Sequence, residues 1–169
     1  MKAHLWELAI YGPHLVLRFI VMAGLGMLLY VLMVSVSIAA QYQFLSLKPR
    51  NWVFHYNSVE FDQPLRAGSS FFMVSNAAVY ERGNMRWTDK LRCKAPRWQR
   101  FRLIHSRPDH IDGFGPKPMG KSRWLYNLPA NVRIEAGWRC YNYTTATMTL
   151  KFGIEKVQQL KSPTVTVVE

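Results

Sequence analysis

The run "FIVMAGLGMLLYVLMVSVSIAA", residues 19–40, divides the chain and governs how the rest is read. It carries no charge, and its only hydroxyl-bearing residues are Tyr30, Ser35 and Ser37. A helix rises about 1.5 Å per residue, so this run reaches roughly 30 Å, the hydrocarbon thickness of a bilayer. The rest of a 169-residue chain is too short both to wrap so apolar a rod and to build its own core. A transmembrane helix over 19–40 is therefore expected. Secretory h-regions run only about 7–15 residues, which favours an uncleaved anchor over a signal peptide. Gly24 and Gly26 thin the helix near its start, and Ser35 and Ala39 form a small-xxx-small step. These are the positions where a second helix could pack closely.

On the N-terminal side, "MKAHLWELAIYGPHLVLR" (1–18) mixes apolar and charged residues before Gly12-Pro13. It reads as a short cytoplasmic or interfacial segment broken at that dipeptide. Lys2 and Arg18 on one flank nearly balance Lys48 and Arg50 on the other, so local charge does not set the orientation. The short N-terminal flank and the cysteine-bearing C-terminal flank favour an N-terminus in the cytoplasm and a C-terminal domain outside it.

On the other side, "QYQFLSLKPR" (41–50) reads as a juxtamembrane linker. Residues 51–169 then change character. Runs such as "SSFFMVSNAAVY", "RWQRFRLIHS", "NVRIEAGW" and "RCYNYTTATMTLKFGI" are rich in β-branched and aromatic residues. Clusters such as "DQPLRAGSS", "ERGN" and "RPDHIDGFGPKPMGK" separate them, the last reading as a long loop over 107–121. Roughly seven to nine strands at this spacing predict a mainly β domain, an immunoglobulin-like antiparallel β-sandwich. The likeness is one of architecture. Position 138 is Trp, not the Tyr of a tyrosine corner, and Trp98 lies too close after Cys93 for the usual core tryptophan. Cys93 and Cys140 are an even pair suited to one disulfide in an oxidising compartment, with two buried thiols as the alternative.

In size, charge and layout, "FIVMAGLGMLLYVLMVSVSIAA" followed by a compact basic β domain resembles the small single-pass membrane-anchored proteins encoded by tailed bacteriophages. The resemblance implies a place in a virion or in the envelope of an infected cell. It carries over no functional residue.

Net charge is +12, from 22 basic and 10 acidic residues, which points to acidic partners and not to any fold. The excess concentrates in "YERGNMRWTDKLRCKAPRWQRFRLIHSR", residues 80–107, where only Glu81 and Asp89 oppose it. Arg82, Arg86, Arg92, Lys94, Arg97, Trp98, Arg100 and Arg102 form the candidate interaction patch. Strand alternation puts Trp98, Arg100 and Arg102 on one face and sends Phe101 and Leu103 to the core. Such a stretch can be a plain solvated face, a contact for lipid or protein, or a stacking platform for single-stranded nucleic acid. With the domain outside the membrane, lipid headgroups and a protein partner or oligomer come ahead of nucleic acid.

The remaining chemistry is sparse. His105, Asp109, His110 and Asp112 cluster in sequence but match no known metal loop, so no metal is expected. There is no nucleophile elbow, Ser-x-x-Lys or phosphate-cradling glycine loop, and no cofactor or catalytic residue is assigned. Asn142-Tyr143-Thr144 is a formal glycosylation acceptor. Together these features lead to the expectation of a non-enzymatic, single-pass membrane protein. Its basic β domain would serve as a structural or interaction subunit.

Overall fold

A computed structural model describes the backbone of residues 2–62 and 64–169, and side chains from Val16 onward apart from Gln63. The chain divides into two compact units, Met1–Leu47 and Lys48–Glu169.

The first unit is one helix, α1 (Lys2–Leu47). Its portion Val16–Leu47 is long and apolar enough to cross a membrane, the most apolar stretch within it having mean hydropathy 2.4. Two expectations are corrected here. Gly12-Pro13 does not break the helix, and residues 41–47 continue it instead of forming a linker. Proline costs a helix one N–H bond. A break or an extended exit would leave several backbone groups unpaired beside an apolar surface, whereas a continuous helix pairs them internally. Ser35 donates its hydroxyl to the Val31 carbonyl at 2.8 Å, so it adds no unpaired polar group to that surface. A Cβ at Gly24 or Gly26 would meet nothing within 4 Å, so packing within this chain does not explain either glycine. The interfacial roles expected of side chains before Val16 lie outside the described residues.

The second unit is antiparallel β. A three-stranded sheet has the order β1-β2-β5, with β1 Phe54–Phe61, β2 Ser70–Val79 and β5 Lys117–Asn127. The other sheet runs β4-β3-β6-β7, with β8 also on β6. Its strands are β3 Gly83–Lys94, β4 Arg102–Phe114, β6 Arg139–Thr149, β7 Glu155–Lys161 and β8 Val165–Thr166. The expected loop over 107–121 is instead the end of β4 and the start of β5, strands of different sheets joined by Gly115 and Pro116 alone. The expected strand "NVRIEAGW" forms only an isolated bridge, Ile134 to Gly68. At the start of β3, a Cβ on Gly83 would lie 2.5 Å from the Thr149 carbonyl oxygen, so the close approach of β6 requires glycine there.

Both sheets contribute to one core. Val59, Phe61, Phe71 and Met73 from one sheet pack with Leu91, Cys93 and Cys140 from the other. Within it, Tyr126 stacks on Phe71 at 4.9 Å and takes the edge of His105 at 5.9 Å. Cys93 and Cys140 are directly paired residues of β3 and β6, with sulfurs at bonding distance. The bridge therefore joins neighbouring strands of one sheet. The bridge of antibody domains joins two sheets, so the likeness does not extend to the cysteines.

Single side chains stitch the sheet edges. The Gln158 amide on β7 accepts the Tyr56 N–H at 2.9 Å and donates to the Tyr56 carbonyl at 2.7 Å, mimicking a strand against β1. It does so where Asn57 interrupts the β1–β2 register. On the opposite side Arg107 of β4 donates to the Leu125 carbonyl of β5 at 2.9 Å. Gln158→Leu keeps the bulk but strands both Tyr56 backbone groups, and should cost about 2 kcal/mol of stability. A urea midpoint unchanged from the wild type would show that the two bonds contribute nothing.

Candidate interaction surface

Strand β3 alternates along most of its length. Met85, Asp89, Leu91 and Cys93 are buried, while Arg86, Lys90 and Arg92 are exposed and Lys94 is half-buried. Directly paired residues of antiparallel strands point to the same side. Register therefore builds the outer face of the larger sheet. Arg86 lies opposite Thr147, Lys90 opposite Tyr143, Arg92 opposite Tyr141 and Lys94 opposite Arg139. On the next strand Lys161 lies opposite Tyr143. Across β3, β6 and β7 this face holds Arg86, Lys90, Arg92, Lys94, Arg139 and Lys161, and Glu155 is its only acid.

The structure distributes the predicted patch over three settings. Arg86, Arg92 and Lys94 lie on this face. Arg82 is in the turn between β2 and β3, some eight to twelve residues up the strand from the cysteine end. Arg97, Trp98 and Arg100 belong to the β3–β4 connection, and Arg102 opens β4. Trp98 is not a free stacking platform. It packs on Trp138 at 4.9 Å, and the Arg102 guanidinium covers it at 4.9 Å. A second group lies beside it, with Phe101 edge-on to Tyr141 at 5.0 Å and the Lys161 ammonium over the same ring at 4.3 Å.

The expected two-face alternation of 98–103 is corrected. Trp98 and Arg100 are not on a strand, and Leu103 is 51% exposed beside Arg92 instead of in the core. The cause is a register shift between Leu91 and Arg92. Leu91 faces His105 while Arg92 faces Leu103, so Ile104 is the extra residue. One inserted residue inverts the facing of everything beyond it.

Tyr141, Tyr143, Arg139 and Lys161 were not anticipated. Their signal was available: once Cys140 is inward, "RCYNYTTATMT" places Arg139, Tyr141, Tyr143, Thr145 and Thr147 together on the other side.

Beneath the face lies a buried polar group. Asp89, 3% exposed, accepts hydrogen bonds from Asn142 Nδ2 (2.8 Å) and from the Thr144 hydroxyl. Burial lifts its carboxyl above the usual carboxylate range, against the opposing pull of Thr144, Asn142 and Arg107. Burial and then the nearby Asp89 charge push the Tyr56 hydroxyl up to about 12, and the Tyr126 hydroxyl is raised by the same two causes. Asn142 is itself only 1% exposed, which closes the formal glycosylation site in the folded chain.

His105, Asp109, His110 and Asp112 do not converge. His105 packs on Tyr126, Asp109 meets Arg107 at 3.4 Å and accepts the His110 N–H, and the His110 position pairs with Arg86 on the outer face.

No protein-family model matches this chain, and no curated protein is significantly similar to it. The chemistry of the surface has to carry the functional reading.

Proposed function

We propose that the protein is a non-enzymatic, single-pass membrane protein whose β unit works outside the cytoplasm. It would act as a structural or interaction subunit of a membrane-associated assembly, on an immunoglobulin-like two-sheet scaffold. The observation that carries the proposal is the outer face of β3, β6 and β7, with six basic side chains against one acid. A flat surface of that sign suits anionic headgroups or the acidic patch of a neighbouring membrane protein. Each Lys or Arg close to an anionic membrane contributes about 1 kcal/mol. Arginine adds bidentate binding of phosphate or carboxylate. The apolar helix supports anchoring, and only residues 48–53 separate it from β1. The cysteine pair supports an oxidising compartment. The viral version of the proposal rests on the layout shared with phage-encoded anchored proteins.

The side of the membrane is testable directly. The described residues contain no free cysteine, so Asn131→Cys in the exposed turn before β6 gives a single reporter. A membrane-impermeant maleimide should label it on intact cells about as fully as after lysis. Labelling only after lysis would overturn the orientation.

A second reading has one observation in its favour: Tyr143 lies among Arg and Lys on the sheet face, beside Tyr141, whose ring Phe101 and Lys161 already cover. That reading predicts that the full chain in nanodiscs binds a single-stranded oligonucleotide, with affinity falling steeply as salt rises. The primary reading predicts no such slope.

A further inference from the structure

The two sheets are not filled evenly. Inward-facing positions of β2 read Phe71, Met73, Ser75, Ala77 and Val79, so the wall changes from large to small half-way along. The space this opens is a cavity of about 280 Å³ between the sheets, with its mouth between the edge strands β4 and β5. Two indoles, Trp87 and Trp124, and the Tyr56 ring form its flat walls. Arg107 and Asp109 stand at the rim on one strand, Lys117 and Ser122 on the other.

Two features of the lining restrict the occupant. The first is size. A cavity of about 280 Å³ is at the small end of ligand sites, the scale of one ring. The second is polarity. Ser75 is 4% exposed and Tyr56 half-buried, yet neither side-chain hydroxyl has a hydrogen-bond partner among the described residues. A wholly apolar ligand would strand both hydroxyls away from water, a cost of about 1–3 kcal/mol each. A ligand with its own hydroxyls on an apolar ring face would satisfy them while its C–H face lies on the indoles.

We propose that this cavity is a binding site for a single sugar-sized, polyhydroxylated ring. Its C–H face would lie between Trp87 and Trp124, with ring hydroxyls bonded to Tyr56 and Ser75 and to the Arg107–Asp109 rim. The rim is already ordered. Arg107 is held by the Leu125 carbonyl and by Asp109, so its remaining donors are fixed at the mouth. The ring can come from a free monosaccharide or from the end of a glycan. The site is independent of the outer basic face and of the side of the membrane on which the unit works.

The test is calorimetric titration of the full chain in nanodiscs with a panel of methyl hexosides, methyl N-acetylhexosaminides and methyl hexuronides. Saturable binding to at least one is expected, with a Kd on the order of 1 mM for a ligand of this size. Tyr56→Phe keeps the ring and should weaken binding about tenfold while leaving the urea midpoint near that of the wild type. Ser75→Val removes the second hydroxyl and narrows the cavity beside it, and should weaken binding at least as much. A trisaccharide ending in the preferred ring that binds as well as the methyl glycoside assigns the site to a glycan terminus, and a much weaker one assigns it to a free sugar. Either supports the proposal. Binding to no member of the panel overturns it. So does an affinity for cyclohexanol equal to the sugar's and unaltered by Tyr56→Phe.

Discussion

Replacing both cysteines, Cys93→Ala with Cys140→Ala, should lower the unfolding free energy of the β unit by about 4 kcal/mol, the loop-closure value for a bridge spanning 47 residues. The bridge sits where its loss is felt most. Both residues are fully buried within the same cluster as Leu91, Phe71 and Tyr126. They also fix the β3–β6 register at the end where the larger sheet changes partners, since β6 pairs with β8 at Cys140 and with β7 only from Tyr143 onward. Urea unfolding of the full chain in nanodiscs, followed by tryptophan fluorescence, measures the difference. Reductant should shift the wild type towards the double variant and leave the variant unmoved. A wild type as sensitive to urea as the variant before any reductant is added would mean that the thiols are not joined. The oxidising-compartment argument would then fall with the bridge.

How much of this was legible beforehand depends on how local each feature is. The long apolar helix is a property of consecutive residues, so "FIVMAGLGMLLYVLMVSVSIAA" marked it without any tertiary knowledge. Its ends were misplaced because Pro13 argues against a helix and Gln41 and Gln43 interrupt the apolar run, although glutamine is itself a good helix former. In the β unit, composition sufficed for class, but strand limits did not follow from it. "RPDHIDGFGPKPMGK" carries the proline and glycine of a loop, yet most of it is strand. Pro108 and Pro118 are tolerated because β4 and β5 are edge strands, where alternate N–H groups face away from the ladder, and Pro118 also falls in the bulge between β2 and β5. The basic patch was visible as a run, but its membership was not. A sheet face is assembled across strands, so Arg139, Tyr141 and Lys161 join it through register that no local window contains. Leu103 was assigned wrongly because a single extra residue, Ile104, reverses the alternation, and Trp98 because it lies in the β3–β4 connection and not on a strand. Asp89 looked like one of two acids diluting a basic stretch. Its parity with Leu91 and Cys93 already placed it inside, and its partners, Asn142 and Thr144, come from the neighbouring strand.

That buried carboxylate gives the second large effect. Asp89→Ala removes the acceptor used by Asn142 Nδ2 and by the Thr144 hydroxyl, leaving two buried donors short of a partner, and should destabilise by about 3 kcal/mol. Asp89→Asn should behave oppositely at neutral pH. Its amide oxygen can still accept both bonds, and it carries no charge to desolvate. The pH dependence separates the two. In the folded chain burial raises the carboxyl above its unfolded value of about 3.9, so the folded state holds that proton more tightly. The stabilisation from protonated Asp89 is fully present below the unfolded value and is lost as pH rises through the folded one. Urea midpoints of the wild type and Asp89→Asn should therefore lie close together at pH 4 and diverge above the folded value, with the variant the more stable at pH 8. A wild type that gains on Asp89→Asn with rising pH would mean that the ionised carboxylate is the stabilising form. In that case Arg107, which already draws the carboxyl downward, would be its effective partner, and Arg107→Gln would have to erase the gain.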